Sequence, residues 1–349
     1  MIPPAQLPEG RPRAPRAIDP NASNDGAGSL FGLGLPLEEC RIVAVPVPFE
    51  GTVSGAGGTV DGPRALIEAS SQIDLADPWA GEPWIAGIGS LPELHAIRQH
   101  SDAARRAAAK ARRGDAQART EVDRHSTAVR GWVEDTVARL IDRERIPFVI
   151  GGEHGISAGA FAAAAQRAGQ MGILQIDAHA DLRAAYEGWT SSHACVMRRA
   201  LEIEAVTRLV QVALRDVCPE ETQYAAQNGA RVKWFTDQQL AHALLEGRCF
   251  AELVGDILEA LPDRIWLSVD VDGLEPFLCP GTGTPVPGGL SWQQLAYLLG
   301  AVGRSGRHIV GADLVEIGPD FWDGFVAAKT LYLLAGVALG TVPDDTRYV

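Results

Sequence analysis

Short, nearly continuous apolar runs alternate along this chain with longer stretches in which apolar residues recur at helical spacing. The runs predict strands at Arg41–Pro46, Pro147–Gly151, Gly172–Asp177, Thr207–Ala213, Arg264–Asp270 and His308–Val315. Helical spacing falls near 63–73, 126–143, 156–168, 219–228, 248–260, 291–304 and 323–338. Runs such as FVIGG and LVQVAL suit parallel strands covered on both faces, because alternation is expected only where one face meets water. Strand–helix repetition implies a parallel sheet joined by right-handed crossovers. Residues 31–349 therefore predict one three-layer α/β/α domain with a mainly parallel sheet. Residues 1–30 are rich in Pro, Asn and Gly without periodicity, and predict an irregular tail or a surface wrap. Residues 95–125 are Ala/Arg-rich and strongly helix-forming, and predict a helical insertion.

Composition narrows the partners. The chain has 349 residues, 46% of them hydrophobic and 21% charged, with a net charge of −13. That charge opposes a nucleic-acid partner, whose phosphates would be repelled. The basic cluster Arg105, Arg106, Lys110, Arg112 and Arg113 is interleaved with no aromatic residue, so it reads as a solvated helical hairpin or an oligomer contact. No apolar run reaches the length needed to span a bilayer, and the N-terminus lacks the apolar core of a signal peptide. Cys40, Cys195, Cys218, Cys249 and Cys279 form no C-x-x-C pair. They read as free thiols in a reducing cytoplasm, and none as a nucleophile.

The informative residues fall where strands end, the edge at which open α/β sheets bind ligands. Gly151-Gly152-Glu153-His154-Gly155 presents a histidine directly after one strand. Asp177, His179 and Asp181 follow another at a spacing of two, which turns all three side chains the same way. Asp270 and Asp272 repeat that spacing after a third. Aspartates this close repel one another in a half-buried site unless a cation neutralises them. Two histidines and four aspartates suit borderline or hard divalent ions such as manganese or nickel, and lack the thiolates of structural zinc. Six ligands, some shared, predict two metal ions, a pair able to activate water at neutral pH.

The ordered set GGEHG, DAHADLR, SSHA, SVDVDGLEP…GTGTPVPGG and DLVEIGP resembles the arginase/agmatinase family of ureohydrolases, from about Val43 to Leu334. The resemblance implies a binuclear metal centre, a small cationic guanidino substrate, and trimers or hexamers. It places His154 and Asp181 on one metal, His179 and Asp272 on the other, and Asp177 and Asp270 on both. His193, in Ser191-Ser192-His193, matches the family's proton-shuttling histidine, and Asp181 a hydrogen-bond acceptor for the nucleophile. Glu316 matches the carboxylate that holds the guanidinium, which a carboxylate fits through paired hydrogen bonds. Thr284, in the loop Gly281–Pro285, is expected at the pocket floor. Departures are also visible. The family more often has Asp and Ser where this chain has Glu153 and Gly155, and many agmatinases carry arginines where it has Gly55-Ala56-Gly57-Gly58-Thr59-Val60.

The run Leu182–Thr190, the loop Cys279–Thr284 and Trp322-Asp323-Gly324 look like the guanidine hydrolase branch, often labelled agmatinase. There Thr52 and Trp322 match residues that close the pocket around a small cation, the indole through cation–π attraction. Free guanidine or a short alkylguanidine is thus the expected substrate. Agmatine or another guanidino acid or amine is the alternative, and a catalytically silent assembly protein a third. Loss of any ligand would favour the last, and all six are present.

Overall fold

The computed structural model describes residues 2–20, 28–55 and 57–344. Met1 and residues 21–27 of the expected tail lie outside the described residues. Eight strands form one sheet: β1 (Ile42–Val47), β2 (Ile88–Ser90), β3 (Ile146–Gly151), β4 (Met171–Ile176), β5 (Val206–Val212), β6 (Val232–Phe235), β7 (Arg264–Asp270) and β8 (His308–Val315). Their order is β2-β1-β3-β8-β7-β4-β5-β6, and every neighbouring pair is parallel. The six expected strands are present within one residue at each end. β2 and β6 were not anticipated from the pattern: they are edge strands of three and four residues, too short to form an apolar run.

The helices are α1 (Gly62–Ser70), α2 (His95–Ala111), α3 (Ala116–Ile141), α4 (Ser157–Ala168), α5 (Val196–Leu201), α6 (Pro219–Gln227), α7 (Asp237–Leu245), α8 (Phe250–Ala260), α9 (Trp292–Arg304) and α10 (Phe321–Leu339). They cover both faces of the sheet. Along β1, Ile42 and Ala44 enter the core that holds Leu66 of α1, Leu298 of α9 and Leu331 of α10. Val43 and Val45 enter the opposite core, with Val133 of α3, Phe161 of α4 and Met197 of α5. Strand period two thus divides one buried run between two apolar layers.

α10 corrects one reading of the sequence. By length and composition its 19 residues, with a mean hydropathy of 1.2, could cross a membrane. Here 72% of its most apolar 18-residue stretch is buried, and α10 packs against α1 and α9 as the inner helix of its layer. A helix apolar all round is expected at such a place.

The Ala/Arg-rich segment is a helical hairpin, but its second arm continues through the stretch 126–143 as one helix. The break comes at Arg112–Asp115, where Asp115 caps α3 by accepting from Gln117 N and Ala118 N. Its alanines serve packing: Ala107, Ala108, Ala111, Ala118 and Val122 enclose Trp189, which is fully buried. The start of the chain lies along α3, whose Trp132 and Arg139 donate to the carbonyls of Pro3 and Ala5, while Arg143 in the turn after it donates to that of Pro8.

Candidate active site

The four middle strands, β3, β8, β7 and β4, deliver the polar residues side by side at their C-terminal ends. His154 follows β3, Glu316 follows β8, Asp270 and Asp272 close β7, and Asp177, His179 and Asp181 follow β4. His154 Nδ1 lies 3.1 Å from Asp177 Oδ2, 3.1 Å from Asp181 Oδ2 and 3.6 Å from Asp270 Oδ2. His179 Nδ1 lies 3.0 Å from Asp272 Oδ2 and 3.6 Å from Asp177 Oδ1. Two candidate metal groups result, His154–Asp177–Asp270 and Asp177–His179–Asp272, with Asp177 common to both. Asp181 takes its place in the left-handed backbone region (φ 55°), as does Glu316 (φ 58°). A non-glycine residue is strained there, by roughly 1 kcal/mol or more, and such strain persists where the surroundings over-determine it.

Beneath these residues runs a row of polar side chains, buried except for the half-buried Trp234 at its end, that pattern reading passed over. Trp234 of β6, Gln211 of β5, Gln175 of β4, Ser268 of β7 and Asp313 of β8 are successive register partners across the sheet. Trp234 Nε1 donates to Gln211 Oε1 (2.6 Å), Gln211 Nε2 to Gln175 Oε1 (2.5 Å), and Gln175 Nε2 to Asp177 Oδ2 (2.7 Å). From the other side, Trp266 Nε1 and Ser268 Oγ donate to the two oxygens of Asp313, at 2.6 and 2.9 Å. Ser268 thereby spends its only proton, so at His154 Nε2, 2.9 Å away, it can act only as acceptor. His154 Nε2 therefore carries a proton, and Nδ1 is the ring atom turned to the aspartates. The only signal in the sequence was polar residues inside apolar strands.

Burial, then the charges of Asp272 and Asp177, push the Asp270 carboxyl well above its usual range. Burial and Asp177 push Asp181 up to about 7. Four buried carboxyls thus crowd one place, and His154 Nδ1 faces them with no hydrogen-bond partner. Donors of this kind, nitrogen and carboxylate oxygen in two groups sharing one aspartate, fit a pair of divalent ions.

A cavity of about 150 Å³ opens over this centre, lined by Ser54, His179, Asp181, Tyr186, His193 and Thr284 among others. His193 stands on its wall, with Nδ1 3.1 Å from Thr52 Oγ1 and its N–H donating to the same hydroxyl at 3.2 Å. Burial first, then the neighbouring His179 and His154, lower its imidazole to about 3, leaving it neutral. Thr284 Oγ1 donates to Asp272 Oδ2 at 3.4 Å. Glu316 Oε1 accepts from His154 N at 2.9 Å, and burial pushes its carboxyl well up. Trp322 is not brought to this cavity. It is 49% exposed at the start of α10, donates to Phe277 O and stacks on Phe325.

The arginase family model matches residues 40–338 of the chain. An N(1)-aminopropylagmatine ureohydrolase of Synechocystis sp. is 31% identical over 308 residues, which is 85% of this chain and 89% of that one. An agmatinase of Bacillus cereus is 28% identical over 299 residues, 84% of this chain and 89% of that one. Among solved structures, the agmatine ureohydrolase of Thermoplasma volcanium superposes with a TM-score of 0.68 at 23% identity, covering 91% of this chain and 94% of that one. The proclavaminate amidino hydrolase of Streptomyces clavuligerus has a TM-score of 0.68 at 20% identity, covering 86% and 93%, so these two show the shared fold. With its histidines and carboxylates at strand ends in the order the motifs predict, the chain belongs to the arginase family, whose ureohydrolases break the C–N bonds of linear amidines.

Proposed function

We propose that the protein hydrolyses a guanidino amine of the agmatine class, forming urea and a free amine. The carrying observation is an exposed carboxylate on the cavity lining. Trp322, expected to wall off an alkyl tail, lies elsewhere, and Asp216 stands on the cavity lining with its side chain 69% exposed. That carboxylate suits the ammonium at the far end of such a substrate, and the relatives named for agmatine and aminopropylagmatine support the same class.

His154, Asp177 and Asp270 would hold one divalent ion and Asp177, His179 and Asp272 a second, the family's use of a two-metal centre matching this set. When bound, such ions lower the pKa of a water and so supply a nucleophile at neutral pH. Glu316 binds the guanidinium by charge and hydrogen bonding. Asp181, 3.1 Å from His154, accepts the proton of the attacking water and orients its oxygen towards the guanidinium carbon. One C–O bond forms and the C–N bond to the alkyl nitrogen breaks; both protons of the water end on that nitrogen, which leaves as an ammonium beside neutral urea. His193, neutral and held by Thr52, is placed to carry a proton to it.

Free guanidine is the second reading, favoured by the small cavity and by the position of Thr52 beside His193. Urea release from guanidine, agmatine, aminopropylagmatine, arginine and guanidinobutyrate, after loading with manganese or with nickel, tests both. Faster turnover of agmatine or aminopropylagmatine is expected. Guanidine turned over far faster than either would overturn the amine-tail reading, and no urea from any of them would overturn both.

A further inference from the structure

The two departures beside His154 meet in space. Glu153 is 1% exposed; its Oε2 accepts from Thr52 N at 2.6 Å, while its Oε1 has no hydrogen-bond partner. A Cβ added to Gly155 would lie 3.2 Å from that Oε1, and equally 3.2 Å from His193 N and Ser191 O. Gly155 sits in a short 3-10 turn, and its φ is not among the positive ones. Its backbone therefore does not demand glycine, and what the missing side chain provides is space. An aspartate at 153, shorter by one C–C bond of about 1.5 Å, would withdraw the carboxylate from Thr52 and leave that space empty. A serine at 155 would compete with the longer glutamate for it.

We propose that Glu153 and Gly155 form a reciprocal pair that positions the proton-carrying histidine. Gly155 admits the Glu153 carboxylate, Glu153 fixes the backbone of Thr52, and the Thr52 hydroxyl holds both the N–H and the Nδ1 of His193. Ser192 Oγ, 3.3 Å from His193 Nδ1, and the edge of the Tyr186 ring also touch the imidazole, but only the Thr52 hydroxyl meets both its backbone N–H and its ring, so its aim depends on this chain of contacts. Glu153 is thus a positioning residue and touches neither substrate nor metal. The proposal rests on the reading of His193 as proton carrier.

The test is a double-mutant cycle on the full-length enzyme loaded with manganese: Glu153→Asp, Gly155→Ser and the two combined, with His193→Ala alongside. Each single variant is expected to lower kcat by about tenfold or more, with KM and bound metal unchanged, because proton transfer and not binding is disturbed. The double variant, which puts the family's commoner pair in place, is expected to recover most of the loss. Independent, multiplying losses in the double variant would overturn the pair, as would a change confined to KM or to metal content. Where a single variant fails to fold, the double variant decides alone, and its failure to fold also overturns the proposal. His193→Ala separates the two levels. A collapse of its kcat together with multiplying losses overturns the pair only, and an unchanged kcat overturns the proton-carrier reading and the pair with it.

Discussion

Arg105 of α2 pairs with Glu50, whose side chain is fully buried at the root of the loop that carries Thr52. Glu50 also accepts from the N–H groups of Gly58 and Val60 and from the Thr59 hydroxyl, so one carboxylate folds the whole loop around itself. Gly57 of that loop has φ 73°, and a Cβ there would lie 3.0 Å from Arg105 Nη2. The glycine admits a guanidinium that arrives from a helix, in a loop lacking the arginines of many agmatinases. Seven residues to either side, Arg98 pairs with Asp61 at 2.9 Å, and Arg112 with Glu187 at 2.7 Å while donating to Val53 O. Seven residues are two helical turns, so Arg98 and Arg105 share one face of α2 and Arg112, at its C-cap, extends the same line. Two members of the basic cluster, Arg105 and Arg112, thus brace two active-site loops, while Arg106, Lys110 and Arg113 are exposed as a solvated face would be.

Arg105→Ala should therefore cost about 2 kcal/mol of stability, less than the 3–5 kcal/mol typical of breaking a fully buried pair, because the arginine is part-exposed. It should also lower kcat/KM with metal content retained. Thermal melts and metal analysis beside urea assays check this, and a variant with wild-type stability and kinetics would show the brace to be idle.

Ser268→Ala leaves the His154 Nε2–H without its acceptor and releases the tautomer that aims Nδ1 at the aspartates. Metal affinity should fall by roughly 10- to 100-fold, the usual effect of losing an outer partner of a metal-binding histidine. Competition with a chelator of known affinity measures it. Unaltered affinity would reduce the buried polar row to packing.

Asp270→Asn should lower metal content in one of the two groups, since a neutral amide cannot offset the charge of a cation. Metal analysis by mass spectrometry is expected to give fewer ions per chain than the parent. Two ions retained at parent affinity would remove Asp270 from the ligand set.

Thiol labelling at pH 8 should modify Cys249, which is exposed, first and Cys218 next. Cys40 and Cys195 are buried, and burial pushes each thiol up to about 12, so both stay protonated and slow until unfolding. Early labelling of either, located by peptide mapping, would contradict the packing around them.

Trp322→Ala should leave urea formation nearly unchanged. The indole sits among the exposed Phe277 and Phe321 and the stacked Phe325, and clustered exposed aromatics are the kind of surface at which chains meet. Elution on a sizing column is the place to look for its effect. A loss of activity on guanidine with gain on agmatine would return Trp322 to the pocket wall.

The sequence by itself determined what local chemistry and short periods can carry. Buried central strands announce themselves as apolar runs, and metal-type ligands at a spacing of two after a strand share a face because the backbone makes them do so. That sufficed for the parallel three-layer fold and for grouping His154, Asp177, His179, Asp181, Asp270 and Asp272. Edge strands of three and four residues leave no such trace. Tertiary structure alone decided everything that depends on register or on approach between distant segments. The row Trp234–Gln211–Gln175–Ser268–Asp313 exists only when five strands are aligned, and each member alone is an ordinary polar residue. Likewise Arg105 meets Glu50 across 55 residues, and Gly155 shows its purpose only once the Glu153 carboxylate lies against it. Trp322 fails in the opposite direction: a motif names its position along the chain, but the rotation of α10 decides that it faces outward.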